Sequence, residues 1–159
     1  MVNGKTDRWR RKMSNEQLIQ LAKKARAFSC AEISKFKVGA ALLTKSGKVF
    51  LGCNIEDPSG IGITNICAER CAVIKALSEG SRDFDTIAVV GGFDGVDGVG
   101  GLDGLDGVDE LVVCTPCGAC RQYLASFCPQ IKIVCMDNNH DVIEYSLSEL
   151  LPYAFHETF

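Results

Sequence analysis

This sequence predicts a single α/β domain built on a mixed five-stranded sheet, and three observations carry that expectation. A chain of 159 residues, 47% of them hydrophobic, fits one domain with a sizeable core. Helical and strand-like patterns alternate along it, and five segments read as strands. Two cysteine-bearing stretches, Cys67-Ala68-Glu69-Arg70 and Thr115-Pro116-Cys117-Gly118-Ala119-Cys120-Arg121-Gln122, each look like the opening of a helix.

Residues 1–13 are polar, with Arg8, Arg10, Arg11 and Lys12 clustered, and read as a flexible tail ahead of a domain over 14–159. Ser14 with Gln17 is a capping-box pattern. It predicts a helix to about Ala31 with Leu18, Leu21, Ala22, Ala25 and Phe28 on its apolar face. The run from Phe36 to Leu43 reads as a buried strand, and the Ser46-Gly47 turn returns it as a second strand from Val49 to Asn54. The small residues Gly39, Ala40 and Ala41 let a neighbour pack closely. Asn54 and Glu56 lie two apart and share a face, which suits hydrogen bonds to a sugar hydroxyl and equally suits a solvated strand end. Pro58, Gly60 and Gly62 make 57–66 a loop.

A helix is expected over 67–79 and a buried strand from Thr86 to Val90. Glycine then recurs every third residue from Gly92 to Gly107, mostly in a glycine–apolar–aspartate triplet. There is no proline and there are too few triplets for collagen, and the aspartates match no calcium-loop spacing. The stretch at about 92–109 reads as a surface insertion of low complexity. Leu111 to Cys114 leads to the second cysteine motif, whose helix should end near Phe127. Ile131 to Met136 and Val142 to Tyr145 are strands, and so short a link makes them an antiparallel hairpin. Ser148 is a candidate cap for a last short helix.

The chemistry gathers at the two helix openings. Cys117 and Cys120 are three apart and share a helix face, the spacing by which two sulfurs reach one tetrahedral metal. Cys67 is the candidate third ligand, because Glu69 then lies beside the metal. Thr115 and Pro116 suit the cap and first position of one helix, and Thr64-Asn65 could cap the other. Unpaired N–H groups there favour thiolate over thiol. Three protein ligands leave a fourth position open, as in catalytic rather than structural zinc sites. A zinc knuckle or a redox pair is the alternative, but no fourth ligand stands at good spacing. His140 and His156 lack ligand spacing, and Cys30, Cys53, Cys71, Cys114, Cys128 and Cys135 read as core packing.

A formal net charge of -3 and a pI near 5.4 argue against a large nucleic-acid surface. The five aspartates of the insertion account for that acidity; without them the balance is +2. Nine cysteines with no apolar leader point to reduced thiols and a cytoplasmic protein. No apolar run of about 18 residues predicts a membrane span.

In order and spacing, five blocks resemble the small, homotetrameric, zinc-dependent cytidine deaminases. They are Phe36 to Leu43, Gly52-Cys53-Asn54-Ile55-Glu56, Cys67 to Arg70, Pro116 to Gln122, and Leu150-Leu151-Pro152 with Phe155. The resemblance spans nearly the whole chain beyond residue 14. It implies a three-layer α/β/α fold, Zn²⁺ held by Cys67, Cys117 and Cys120, and a homotetramer acting on a small nucleoside. The reaction it implies is hydrolytic deamination of cytidine and deoxycytidine, with release of ammonia, in pyrimidine salvage. Glu69 would be the catalytic proton carrier. Asn54 and Glu56 would bind the ribose, Phe36 would border the base, and the Ala68 backbone would contact it. Phe155 would close a neighbouring subunit's site. Arg70 would hydrogen-bond the thiolates and offset their negative charge.

Two departures stand out. The family has a shorter loop with an aromatic where this chain has 57–66, and only a short link in place of the Gly/Asp-rich stretch. The first admits a related substrate, such as a cytosine-containing antibiotic. Arg70 speaks against that branch, whose compared members have an apolar residue there. The short hairpin after Met136 speaks against polynucleotide editors, in which a helix intervenes.

Overall fold

The structure, a computed structural model, describes residues 13–94, 110–137 and 139–155. Residues 1–12 of the expected tail, residues 95–109 of the expected insertion and His156 therefore lie outside the described residues, while Met13 packs against the core.

Helix α1 (Asn15–Arg26) opens on the capping box read from the sequence: Ser14 accepts from the Gln17 N–H and Gln17 answers on the Ser14 N–H. It buries Leu18, Ile19, Ala22 and Ala25. Burying Leu18 and Ile19 contributes about 1.5–3 kcal/mol each, against about 1 kcal/mol for a cap. Packing therefore holds the helix on the sheet, and the cap sets where it begins. The helix ends five residues before the expected Ala31. The Phe28 and Ser29 N–H groups tighten onto Ala25 and Arg26, and the Cys30 N–H then pairs with Asn54. That pairing draws the chain into an extended path beside the second strand. Phe28 consequently lies outside the apolar face, 76% exposed.

The five expected strands form, in the sheet order Val49–Cys53, Lys37–Thr44, Phe84–Phe93, Lys132–Met136, Val142–Ser146. They are β1 (Lys37–Thr44), β2 (Val49–Cys53), β3 (Phe84–Phe93), β5 (Lys132–Met136) and β6 (Val142–Ser146). All neighbours are antiparallel except β3 and β5. The sheet is therefore mixed. A sixth strand, β4 (Glu110–Val112), was not legible in the sequence. It pairs antiparallel with Gly91 to Phe93 at the end of β3. β1 already covers the other edge of β3 there, so β4 lies beyond the end of β5. The expected insertion at about 92–109 thus begins later, since β3 runs to Phe93.

Each face of the sheet carries its own core. On one, α1 packs Leu18, Ile19 and Ala22 on Ala41, Leu43, Ala88, Val90 and Val134. On the other, α2 (Ala68–Ser78) and α3 (Gly118–Phe127) pack Ala72, Val73, Ala76 and Leu124 on Ala40, Leu42, Ile87, Val89 and Ile133, with the short α4 (Leu147–Leu150) beside them. This is the three-layer α/β/α arrangement. Alternate residues of β1 and β3 feed the two cores, as the period of two requires.

Two glycines set how closely the layers approach. A Cβ on Gly39 would stand 2.0 Å from the Ala22 carbonyl oxygen of α1. On Gly52 it would stand 2.2 Å from the Ala68 carbonyl oxygen of α2. Neither position tolerates a side chain without moving a helix. α2 begins at the candidate metal site, so Gly52 fixes the depth of that site on the sheet.

Candidate metal centre

Both cysteine-bearing helices start at least two residues later than the cap rules predict. Cys67 is the N-cap of α2 and Cys117 the N-cap of α3, each extended and neither making a side-chain capping bond. Their thiols stay free while the first N–H groups of each helix remain nearby, a setting that stabilises thiolate. Thr115, the expected cap, instead accepts from the Arg121 guanidinium at 2.9 Å. Cys120 is buried in the first turn of α3.

The three sulfurs converge. The Sγ atoms of Cys67, Cys117 and Cys120 all lie within 4.8 Å of one another, and Cys67 and Cys117 are 3.9 Å apart. Thiolates at 2.3 Å from a tetrahedral zinc stand about 3.8 Å apart, so the spacing fits that ion. Among the described residues these are the three side chains so grouped, which leaves a fourth position of the tetrahedron without a protein ligand. Without metal, the Cys120 thiol hydrogen-bonds Cys67, and with help from Arg70 and Cys117 holds it down to about 5. Cys120 is pushed up by that same contact and by burial. The neighbouring Cys114 is raised to about 12, chiefly by burial.

Glu69 lies in the first turn of α2 and is 4% exposed. Burial raises its carboxyl from the ordinary 4.5 to about 7, and the charge of Cys67 adds to the rise. A carboxyl so poised can both take and give a proton near neutral pH. Arg70 spans from metal centre to loop: its Nη2 donates to the Asn65 carbonyl at 3.0 Å and to Cys67 Sγ at 3.7 Å. Its Nε is buried with no hydrogen-bond partner among the described residues, a cost of about 1–3 kcal/mol that the Nη2 contacts must offset.

The remaining expected residues each make contacts of their own. Asn54 Oδ1 accepts from the Val38 N–H at 2.8 Å and the Ser29 hydroxyl at 2.5 Å, and its Nδ2 donates to the Phe36 carbonyl at 2.9 Å. Glu56 Oε2 accepts from the Ile33 and Ser34 N–H groups at 2.8 and 3.1 Å. The Ser34 hydroxyl and these N–H groups hold its carboxyl below the usual range. Both side chains thus fasten the segment carrying Phe36, whose ring meets Phe93 edge-on at 5.2 Å. Ala68 is fully buried at the start of α2. Phe155 is 66% exposed, and its backbone is held on both sides by Gln122 at 2.8 Å.

Sequence reasoning missed Arg121 and Gln122 as fasteners. Arg121 donates to Pro116 at 2.7 Å, to Leu150 at 2.8 Å and to Thr115. It ties the turn carrying Cys117 to α4. The signal was present, since both side chains directly follow Cys120, but the partners that tie them to the C-terminal segment, Leu150 and Phe155, lie 29 and 33 residues away in sequence.

Three thiols around an open coordination position, with a buried carboxyl beside them, define a zinc-type hydrolytic centre. The chain belongs to the family described as the cytidine and deoxycytidylate deaminase zinc-binding region, which it matches over residues 12–136. It is 44% identical over 144 residues to a cytidine deaminase of Halalkalibacterium halodurans, covering 90% of this chain and 95% of that one. A crystal structure of cytidine deaminase from Burkholderia pseudomallei superposes with a TM-score of 0.73 at 40% identity, covering 90% of this chain and all of that one. A blasticidin-S deaminase of Bacillus cereus is 33% identical over 124 residues, covering 78% and 80% of the two chains.

Proposed function

We propose that the protein hydrolytically deaminates cytidine and deoxycytidine to uridine and deoxyuridine. The observation that carries this is the meeting of Cys67, Cys117 and Cys120 beside the buried Glu69. The named relatives at 44% and 40% identity support the nucleoside as substrate.

Cys67, Cys117 and Cys120 would hold zinc, which when bound supplies a Lewis acid that makes water nucleophilic at neutral pH. Glu69 takes a proton from the attacking water and gives it to N3 of the base as the new C–O bond forms at C4. It then takes the proton of the new C4 hydroxyl and passes it to the exocyclic amine, so that the C4–N bond breaks as the C4 carbonyl forms, and ammonia leaves. Burial of Glu69 excludes bulk water from this transfer. Arg70 offsets the charge of three thiolates. Phe36 borders the base, the Ala68 backbone contacts it, and Asn54 and Glu56 meet the ribose.

The single deaminase domain spans 14–159 and the Gly/Asp-rich stretch is an insertion in it. The working form is a homotetramer in which Phe155 reaches a neighbouring subunit's site; its exposed ring on a backbone fixed by Gln122 supports this. Nine free cysteines support a reducing, cytoplasmic setting. No helix among the described residues is long and apolar enough to cross a membrane.

The test is ultraviolet-monitored turnover of both nucleosides before and after zinc removal. Zinc-dependent loss of cytidine absorbance, abolished in Glu69→Ala with metal retained, is the expected result. Undiminished rate in Glu69→Ala refutes the mechanism. No turnover by zinc-loaded protein refutes cytidine as substrate and directs screening to modified cytosines.

A further inference from the structure

The loop at 57–66, longer than the resemblance leads one to expect, is built around one carboxylate. Asp57 Oδ1 accepts from the Ser59 N–H at 2.8 Å and the Ser59 hydroxyl at 2.7 Å, and Oδ2 accepts from the Thr64 hydroxyl. The Asp57 N–H donates back across the loop to Asn65 Oδ1 at 2.7 Å. Below this, Ile55 and Ile66 exchange two backbone hydrogen bonds of 2.9 Å. Loop closure is therefore complete at its base, and the Asn65 peptide is held from both sides. Two residues beyond Asn65, the main chain reaches Cys67.

The Asn65 carbonyl is where this closed loop meets the metal centre. It accepts from Arg70 Nη2, and the same nitrogen reaches Cys67 Sγ. Arg70 Nε has no hydrogen-bond partner among the described residues, so the Nη2 contacts to Asn65 and Cys67 carry part of the guanidinium's orientation, beside its interaction with Cys120. We propose that Asp57 and Asn65 are positioning residues for the reaction: by fixing the Asn65 carbonyl they hold the Arg70 guanidinium on the Cys67 thiolate, and so set how much charge that sulfur donates to the metal. A thiolate that accepts a charge-assisted hydrogen bond donates less electron density, which leaves the bound ion more acidic. The extended loop thereby tunes the centre without touching it. This rests on the reading that the three thiols bind metal.

The experiment reads the metal as well as the rate. Cobalt(II) replaces zinc in wild type, Asp57→Ala, Asn65→Ala, Arg70→Ala and the Asp57→Ala/Arg70→Ala pair. The thiolate-to-cobalt charge-transfer band, kcat, KM and thermal midpoint are then measured. Asp57→Ala and Asn65→Ala should move the band to longer wavelength, in the same direction as Arg70→Ala. Their kcat should fall by about 10–100-fold, the range expected of groups that orient metal ligands, with KM within about 2-fold. Asp57→Ala should add nothing further in the Arg70→Ala background, and Asn65→Asp, which keeps the oxygen acceptor for the Asp57 N–H, should restore the band. An unmoved band in folded Asp57→Ala and Asn65→Ala, or full additivity with Arg70→Ala, overturns the proposal. Should Asp57→Ala not fold, Thr64→Val removes one donor to the carboxylate and is read by the same band. Failure of the wild type to take up cobalt or zinc overturns the metal-centre reading instead.

Discussion

Gly52→Ala tests whether the depth of α2 on the sheet controls catalysis. The added Cβ would stand 2.2 Å from the Ala68 carbonyl oxygen and 2.5 Å from the Ala72 nitrogen, both backbone atoms of α2. Ordinary contact begins near 3.4 Å, so the first turn of α2 must move outward by about 1 Å. Cys67 caps that turn and Glu69 lies within it. Overpacking of this kind costs about 1–3 kcal/mol in stability, and a 1 Å misplacement at a catalytic centre costs about 100-fold in rate. Gly39→Ala is the matched control, because its Cβ meets the Ala22 carbonyl of α1 at 2.0 Å on the opposite face of the sheet. Thermal denaturation and kcat per folded, zinc-loaded chain should separate the two variants. Both should lose comparable stability, and only Gly52→Ala should lose kcat by one to two orders of magnitude. Equal loss of kcat in both, or wild-type kcat in Gly52→Ala, would refute the reasoning.

Two further outcomes follow from the charges at the centre. Burial lifts Glu69 to about 7 in the metal-free chain, so the folded state favours the protonated acid. No penalty exists below the ordinary carboxyl value; it grows as pH rises from about 4.5 and levels off above about 7, near 3 kcal/mol. Urea unfolding of metal-free protein at pH 5 and pH 8 isolates this effect by comparison, because the depressed Cys67 works in the opposite direction: going from pH 5 to pH 8, Glu69→Gln should fare better than wild type by about 2–3 kcal/mol, and an identical pH dependence in the two would exclude Glu69 as a source of the penalty. Cys67 is held down to about 5 in the metal-free chain, first by the Cys120 thiol and then by Arg70. Iodoacetamide at pH 7 should therefore modify Cys67 well before Cys114 and Cys135, both raised to about 12 by burial. Zinc should protect Cys67 and Arg70→Ala should slow its labelling, as peptide mass spectrometry would report. Labelling of Cys67 unaffected by zinc would place it outside the metal site.

What the sequence determined by itself was local. Ser14 and Gln17 close a capping box because both partners lie within one turn, and the Asp137 to His140 link is too short for anything but an antiparallel return. The Cys117/Cys120 pair could be read as one metal-binding face because three residues is a helical interval. Cys67 and Glu69 joined that reading as candidates, and their convergence needed the fold. Where two local rules competed, sequence reasoning chose wrongly. Thr115 and Asn65 are good cap residues by type, yet the caps are Cys117 and Cys67. The same holds at the last helix, where Ser146 with Glu149 forms the capping box rather than Ser148. Tertiary partners decided the first two: Arg121 claims the Thr115 hydroxyl, and the Asp57 N–H claims the Asn65 side chain.

Only the tertiary structure could decide the rest. α1 stops at Arg26 because Cys30 finds Asn54, a partner 24 residues away. β4 is three residues long and carries no pattern of its own; it exists because the end of β3 offers an open edge. Arg121 and Gln122 became fasteners of the C-terminal segment because the fold brings Leu150 and Phe155 to the first turns of α3. Short-range hydrogen bonds and periodicity are written into adjacent residues. The identity of a long-range partner is settled only when the sheet brings distant segments together and each polar group takes the best acceptor within reach.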